Sequence, residues 1–525
     1  MYKTSTIFMV PGDLPRRLVQ EFGVELAAPA GHIFRNIIQS GHWPKPWRIE
    51  YGIPLKKQDN PVNEDQLRII SLTNYLSKVF EQFVIDWLLK YVGTQLDWGQ
   101  YGGVTGSSIT HYLIDFVNFV LYNQDLKTPH ATLAVMIDFQ KAFNRINHNL
   151  IITILNNMGV PGWLLRIIMG FLKERELVLK YKGGYSNRKA MPGGGPQGTR
   201  LGLFIFLILI NAAGYEICNM SIGKHITTKL SKRTPIKNIH MKYVDDLSCA
   251  ESINLKECLI SNPNPVLPAT YHDRTHHYLP AGACQLQGAL DRLVNYSQAN
   301  QMRINGEKCK VMLFNSSRKY DCTPQLTLSD MGSGNNYLEV VDSFKMLGLI
   351  VRSDMRWCDN TSYMCQKGYK RLWMLRRLRG LGASSEELKD VYIKQVRSVM
   401  ELAVPVWHPA LTNVEERQIE RVQKCALAII LGDKYTNYEK AREILFIETL
   451  SERRLKLCEK FAKKAAKSSK FKYWFRQTEN QEKKTTTRSS KNKTFPVFKV
   501  VPTRTSRYEK SPLPYLTEIL NDLKS

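Results

Sequence analysis

The chain is 525 residues long with 43% hydrophobic and 23% charged residues, the proportions of a globular protein, which excludes a disordered chain as the main reading. Its 74 Lys and Arg against 47 Asp and Glu leave a formal charge of +27 and a pI near 9.6, the balance of a protein that meets a polyanion, either nucleic acid or an anionic membrane face. No apolar run approaches the ~20 residues that cross a bilayer, the N-terminus lacks a secretory signal pattern, and none of the 10 cysteines forms a C-x-x-C pair, which argues against zinc knuckles and disulfide scaffolds. The expectation is an intracellular protein with free thiols, in nucleus or cytoplasm, with no membrane partner.

Up to about Asn60, short helical patterns mix with Pro and Gly, and 42–48 form a basic, aromatic, Pro-stiffened connector. The spacing of Leu76, Phe80, Phe83, Val84 and Leu88 predicts a helix starting after Ser71 or Thr73. Gly99 to Gly106 predicts a turn-rich loop, and Tyr112, Phe116, Phe119 and Val120 an amphipathic helix after it. Ala131 to Ile137 is short, apolar and partly β-branched, the pattern of a buried strand, with Asp138 at its end. Leu150, Ile154, Leu155 and Met158 mark one face of a helix stopped by Gly159 and Pro161. Leu177 to Tyr181 and the following Lys182-Gly183-Gly184 predict a hairpin. The Gly-rich loop from Pro192 to Gly198 leads into an apolar helix at Leu201.

Farther on, His240 to Val244 and Leu247 to Ala250 predict two strands joined by a two-residue turn, Asp245-Asp246. Asn262 to Pro280, rich in Pro, His and Tyr, predicts a loop insertion. A helix near Leu286 to Ala299 follows, then strands at Val311 to Phe314 and Phe344 to Val351. After Trp357 the pattern is helical and strongly basic. Lys460 to Lys499, rich in Lys, Thr and Ser, predicts a loosely ordered arm.

Two acidic sites stand out by context. A carboxylate at the end of an apolar strand, or in a tight turn between two, must be paired, hydrogen-bonded or metal-bound. Asp245-Asp246 alone reads as an Asp-rich turn. Brought beside Asp138, the pair becomes an oxygen-donor set suited to two Mg²⁺ ions, with water and phosphate completing the coordination.

Several further motifs occur in order: Leu67-Arg68-Ile69-Ile70-Ser71-Leu72-Thr73, Gln100-Tyr101-Gly102-Gly103, Asp138-Phe139-Gln140-Lys141-Ala142-Phe143, Gly195-Pro196-Gln197-Gly198-Thr199, Tyr243-Val244-Asp245-Asp246, Asn305 with Lys308 and Lys310, and Leu347-Gly348. On these residues the chain resembles the reverse transcriptases of non-LTR retrotransposons, nearest the jockey-like group. The resemblance runs from about Gly12 to the C-terminus, with the ordered motifs between Arg68 and Gly348.

The resemblance implies an α+β fold, a right-hand polymerase with fingers, palm and helical thumb. The corresponding divisions are an N-terminal extension (1–50), fingers and palm (51–355, with the loop insertion 262–280), thumb (356–435) and basic C-terminal arm (436–525). It implies an RNA-directed DNA polymerase that adds deoxynucleotides to a primer 3′-hydroxyl with two Mg²⁺ ions, Mn²⁺ being a substitute. Asp138, Asp245 and Asp246 are the implied catalytic and metal-binding carboxylates, and the carbonyl of Phe139 an added ligand. For the nucleotide, the implied residues are Arg68, Phe143, Gln197, Gly198, Lys308 and Lys310. Phe143 stands at the family's steric-gate position, Arg68 suits a triphosphate because its fork binds bidentately, and one of the two lysines would act on the pyrophosphate leaving group. Lys370, Arg371, Arg376, Arg377 and Arg379 lie in the implied thumb, where contacts with nucleic-acid phosphates are sequence-independent. The partners are an RNA template, a DNA primer or nicked target DNA, and deoxynucleoside triphosphates.

There are departures from the family pattern. Asn144 replaces a common Asp, Val104-Thr105 stand where relatives carry a basic residue, and Ile69 replaces a Pro. None removes a metal ligand. No endonuclease or RNase H domain is recognisable, so the chain reads as a shortened copy, with any target-nicking activity supplied from elsewhere. The alternative reading is a catalytically inactive, nucleic-acid-binding remnant of a truncated element. A host enzyme of the same fold, telomerase-like, is a weaker rival because its special RNA-binding domain is not evident.

Overall fold

The structure is a computed structural model that describes residues 10–57, 60–63, 66–140, 143, 146–217, 235–256, 277–279, 285–317, 322–324, 326–328, 337–477 and 497–523. Two N-terminal helices, α1 (Arg16–Glu21) and α2 (Gly23–Ser40), precede β1 (Ile49–Lys56). The motif around Arg68 forms β2 (Leu67–Leu72). Helix α3 (Tyr75–Val92) starts where the Asn74 side chain accepts bonds from the Leu76 and Ser77 amides, a polar N-cap placed as the spacing required. Its stripe holds at Phe80, Val84 and Leu88, but Phe83 is 46% exposed and packs at the helix margin against Phe34 and Trp87.

Next come α4 (Ile109–Gln124), β3 (His130–Ile137), α5 (His148–Asn157) and α6 (Gly162–Leu172), then the hairpin of β4 (Arg175–Tyr181) with β5 (Gly184–Tyr185), β6 (Lys189–Met191) and α7 (Arg200–Ile217). On α5 the fully buried residues are Ile151 and Leu155, with Leu150, Ile154 and Met158 half-buried at the edge of that face. β1 pairs with β2 antiparallel and with β4 in parallel, which gives a small sheet ordered β2-β1-β4-β5.

The central sheet is built from β3, β7 (Asn238–Tyr243), β8 (Asp246–Asn254), β10 (Lys310–Phe314) and β12 (Glu339–Val340), in the order β12-β10-β3-β8-β7. β3 is buried at all eight positions. Ala134 and Met136 face one core, while Ala131, Leu133, Val135 and Ile137 face another. Both faces are covered, which is why the strand reads as one apolar run rather than an alternation. The second core is closed by α3, α5, α6, α7 and α8 (Gln285–Ala299).

Within the expected loop insertion, only 277–279 lies among the described residues. It forms β9 (His277–Leu279), parallel to β11 (Cys322–Pro324). The rest of that stretch, with His272 and His276, lies outside the described residues. The strand expected over 344–351 is two strands, β13 (Ser343–Met346) and β14 (Leu349–Arg352). Leu347 (φ +48) and Gly348 (φ +94) form the turn between them. Two consecutive positive φ values define the primed turn that matches strand twist.

After Trp357, the expected helices are α9 (Cys358–Gly380), α10 (Ser385–Val391), α11 (Asn413–Leu431), α12 (Tyr438–Leu445) and α13 (Leu450–Lys467). Reciprocal capping boxes start three of them: Ser384 with Glu387, Thr412 with Glu415 and Thr449 with Glu452. Of the loosely ordered arm expected over 460–499, the parts 460–477 and 497–499 are folded, through α13 and the segment after it, and 478–496 lie outside the described residues; the chain then continues into α14 (Pro512–Asp522). Correspondingly, α4 is not amphipathic, since every residue from His111 to Asn123 is buried. The C-terminal elements cover the face that the sequence pattern leaves to solvent. Asp125 accepts bonds from the Arg504 and Thr505 amides, and Tyr508 donates its hydroxyl to Asn118.

Among the described residues, no helix is long and apolar enough to cross a membrane.

Candidate active site

The β7–β8 hairpin carries the acidic pair, displaced by one residue from the expected turn. Tyr243 pairs with Asp246, so the two turn residues are Val244 and Asp245, and Asp246 is the first residue of β8. Val244 has φ +61. A β-branched residue in the left-handed region stores about 1–3 kcal/mol of strain, a cost tolerated where surrounding structure imposes it. Here that structure is the Gln100-Tyr101-Gly102-Gly103 motif. A Cβ on Gly102 would stand 2.5 Å from the Val244 nitrogen, and one on Gly103 would stand 2.2 Å from Leu207 Cδ1. Both glycines serve backbone approach, a role the sequence pattern did not distinguish from an ordinary turn.

β3 and β8 are antiparallel with Ile137 opposite Leu247. One step farther, Asp138 comes across from Asp246. The end of β3 is stapled to the 303–309 loop: Asp138 carbonyl accepts from the Asn305 amide at 2.8 Å, the Gln140 amide donates to Arg303 carbonyl at 2.7 Å, and Phe139 bridges Ile304. The Asp138 amide donates to Cys309 Sγ at 3.4 Å. Burial pushes that thiol up to about 11. The same loop brings Lys308 Nζ to 3.5 Å from Asp138 Oδ2. A cavity of about 320 Å³ opens beside Asp138, Asp246 and Lys308, against Phe344, Met346 and Leu347 of the next hairpin. Lys310 lines the same cavity, but its ammonium is engaged with the Glu307 carbonyl and the Glu339 carboxylate.

The carboxylates act on one another. Burial first, then the charges of Asp245 and Asp138, push Asp246 up to about 6, and Arg68 opposes the rise. Asp245 is also raised, by burial and by Asp138, against its own backbone hydrogen bond, Arg68 and Lys308. Arg68 is exposed on β2, yet its charge reaches both aspartates. Among the described residues, no three His, Cys, Asp or Glu side chains are gathered tightly enough to hold an ion by themselves. The donor set nonetheless fits a hard divalent cation. It is all oxygen, its members repel one another, and Mg²⁺ takes one or two carboxylates plus water and phosphate rather than a full protein cage.

Phe143 is half-buried and stacks on Phe206 with ring centres 4.7 Å apart, while its carbonyl accepts from Gly195 at 2.7 Å. Lys141, Ala142 and Asn144 lie outside the described residues. The Gly195–Thr199 loop is tied to β2, because the Ser71 amide donates to Gln197 carbonyl at 2.9 Å. Gly198 (φ +125) lies so close that a Cβ would stand 2.6 Å from the Ser71 carbonyl oxygen. Gln197 and Gly198 are thus joined to the strand that carries Arg68.

The five basic residues of α9 divide. Lys370, Arg376 and Arg377 are exposed around Trp373, itself 66% exposed. Arg371 donates to the Gln395 carbonyl and Arg379 to Ile429 carbonyl at 3.2 Å, so both also brace neighbouring segments.

Sequence reasoning missed several buried polar residues that support the site. Glu81 accepts from the Arg200 and Leu201 amides at 2.8 and 3.0 Å and so fixes the start of α7. Asp97 takes His240 Nε2 at 2.5 Å and Lys242 Nζ at 2.6 Å beneath β7. Despite burial, these two partners hold its carboxyl well below the usual range. The available signal was the alternation that puts His240 and Lys242 on one face of β7 with Ile239 and Met241 on the other.

The family model of reverse transcriptase (RNA-dependent DNA polymerase) matches residues 55–351. The chain is 24% identical over 290 residues to the RNA-directed DNA polymerase from mobile element jockey of Drosophila melanogaster, covering 54% of this chain and 27% of that protein. It is 20% identical over 415 residues to the probable RNA-directed DNA polymerase from transposon BS of the same organism, covering 77% of this chain and 40% of that protein. The chain therefore spans well under half the length of these curated relatives. A solved apo telomerase from Candida tropicalis aligns over 59% of this chain and 55% of that one, at 12% identity and a TM-score of 0.34. With the matched segment covering more than half of the sequence and containing all three aspartates, the chain belongs to the reverse transcriptase family.

Proposed function

We propose that the chain is the RNA-directed DNA polymerase of a mobile element, copying an RNA template from a DNA primer. The observation that carries this reading is the convergence of Asp138, Asp245 and Asp246 at one end of the central sheet, with Arg68 and Lys308 supplying opposing charge. Asp138 and Asp245 would hold two Mg²⁺ ions, with Asp246 as the less direct third carboxylate and the Phe139 carbonyl as an added ligand. When bound, the metal supplies Lewis acidity that lowers the pKa of the primer hydroxyl and stabilises the leaving oxygen.

The remaining steps belong to the protein. The primer 3′-hydroxyl gives up its proton to solvent and its oxygen forms the bond to the α-phosphorus of the incoming deoxynucleotide as the bond to the pyrophosphate oxygen breaks, with charge spread over the phosphoryl oxygens. Arg68, on β2, and Lys308, on the loop before β10, both bring positive charge to the carboxylates. There they neutralise the triphosphate and the departing pyrophosphate. Phe143, fixed by Phe206, lies under the sugar and leaves no room for a 2′-hydroxyl. Gln197 and Gly198 guide the nucleotide or template strand. The region from 51 to 355 would serve as fingers and palm, and 356 to 435 as the thumb.

The test is primer extension on an RNA template with a DNA primer, deoxynucleotides and Mg²⁺ or Mn²⁺, using Asp245→Asn as control. Extension by the wild type and none by the variant supports the reading. A folded wild type that binds template–primer yet does not extend it would make the chain an inactive nucleic-acid-binding remnant.

A further inference from the structure

Lys470, more than two hundred residues beyond the Val244–Asp245 turn and outside the stretch matched by the family model, contacts Gln100 and Tyr101, beside the Gly102 that abuts the turn. We propose that Lys470, Tyr473 and Trp474 are positioning residues for that turn, acting through residues 99–103. The proposal rests on the polymerase reading of the turn.

The contacts form a continuous path. Residues 99–102 lie along β7 and are tied to Lys242: its amide donates to Gly99 carbonyl at 2.7 Å, and its carbonyl accepts from Tyr101 at 2.8 Å and Gly102 at 3.4 Å. Gln100 is fully buried and donates its side-chain amide to Gly102 carbonyl at 2.9 Å, which closes the segment on itself. Gly102 then abuts Val244, with no room between them for a methyl group. Asp245 is the next residue, so any retreat of 99–103 removes the support that keeps Val244 at positive φ and Asp245 in place.

What keeps 99–103 from retreating is the C-terminal segment. Lys470 donates to the Gln100 carbonyl and places its ammonium 4.6 Å above the centre of the Tyr101 ring. The Tyr101 hydroxyl donates to Asp115 at 2.6 Å. That buried carboxylate also accepts from Trp474 Nε1 at 2.9 Å and the Tyr473 hydroxyl at 3.0 Å. Two of the three donors on Asp115 are therefore C-terminal, and the third belongs to the segment being braced. Phe471 completes the seat by stacking on His111 with ring centres 3.9 Å apart. A buried network of this kind has few alternative arrangements when fully satisfied, which suits it to setting a position rather than only adding stability.

The experiment compares wild type, Lys470→Met, Lys470→Arg and Trp474→Phe as full chains. Primer extension is measured against Mg²⁺ concentration, with hydrogen exchange followed over 240–248 and, as a control, 358–380. Lys470→Met should raise the half-saturating Mg²⁺ several-fold and lower kcat by roughly ten-fold or more, the scale expected for slight misplacement of a reacting group. KM for template–primer should stay unchanged. Exchange should quicken over 240–248 but not over 358–380, and Lys470→Arg should recover part of both effects. Trp474→Phe, which keeps the ring and removes one donor, should move in the same direction. A fall in melting temperature with Mg²⁺ dependence, kcat and exchange over 240–248 all unchanged would overturn the proposal. If wild type extends no primer, the polymerase reading fails by itself. The exchange measurement still decides the brace, since quickened exchange over 240–248 supports it and unchanged exchange overturns it.

Discussion

Lys308 carries its ammonium 3.5 Å from the Asp138 carboxylate, whereas Lys310, two residues later, is turned to Glu339 and the Glu307 carbonyl. The two lysines were equivalent as a sequence motif and are not equivalent in space. A cation beside the reacting phosphates is worth far more than one in a surface ion pair. Lys308→Met should lower kcat for primer extension by roughly ten- to a hundred-fold, in the range of a lost acid or charge-stabilising group. Lys310→Met should cost about three-fold or less, the size of a surface pair. Equal losses in steady-state kinetics would contradict this division of roles.

Gly102 tests the strained turn directly. An added Cβ there would meet the Val244 nitrogen at 2.5 Å, a backbone atom with little freedom to yield. Gly102→Ala should therefore destabilise the fold by about 1–3 kcal/mol, as overpacking does, and abolish most extension activity because Asp245 adjoins the displaced residue. Gly93→Ala is the matched control, since an added methyl meets nothing within 4 Å, and should stay within ~0.5 kcal/mol of wild type. Urea unfolding of both variants, with extension assays at a temperature where both are folded, separates the two effects.

β3 was legible because burial on both faces writes an uninterrupted apolar run. The helix 75–92 was legible from its apolar spacing and polar N-cap, and 200–217 from the apolar run that follows a Gly-rich loop. β1 was not, since its partner in the parallel pairing, β4, lies more than 120 residues away and Pro54 interrupts its pattern. The turn was misplaced by one residue because nothing in Val marks a left-handed conformation. That conformation is imposed by Gly102 from a distant segment. Burial of α4 was hidden for the same kind of reason. Asp115 and Asn118 on α4, and Asp125 just after it, are the anchors of the C-terminal segment, which no local pattern reveals.

Two titrating groups on the C-terminal interface should shift stability with pH in opposite directions. Burial, then Arg454, pushes His408 down to about 4 from 6.5. Its neutral form is favoured in the fold, so its contribution is present above pH 6.5 and lost as pH falls through about 4. Asp115 is pushed up by burial to about 6 from 3.8. Its contribution is present below pH 3.8 and lost as pH rises through about 6. The stability advantage of wild type over His408→Gln should therefore be larger at pH 7 than at pH 4.5, by on the order of 1–3 kcal/mol. The advantage over Asp115→Asn should instead be larger at pH 4.5. Chemical denaturation at the two pH values reads both differences, and like signs would refute the assignment.

The division among the α9 cations predicts how nucleic-acid binding responds to salt. Each phosphate contact releases counterions, so its removal flattens the slope of log affinity against log salt by about one unit. Lys370, Arg376 and Arg377 are exposed, whereas Arg371, half-buried, and Arg379, itself exposed, are engaged with the carbonyls of Gln395 and Ile429. Replacing Lys370, Arg376 and Arg377 together by Gln should therefore flatten the slope by about two to three units and leave the melting temperature nearly unchanged, because exposed charges contribute little to folding. Replacing Arg371 and Arg379 should do the reverse, lowering the melting temperature with a small change in slope, since a carbonyl then loses its charged donor and the helix loses two braces. Fluorescence anisotropy with an RNA–DNA hybrid across a salt series gives the slopes, and thermal unfolding gives the rest. Slopes that fall equally for the two variants would mean that both sets of cations meet phosphate, and that the bracing contacts give way when nucleic acid binds.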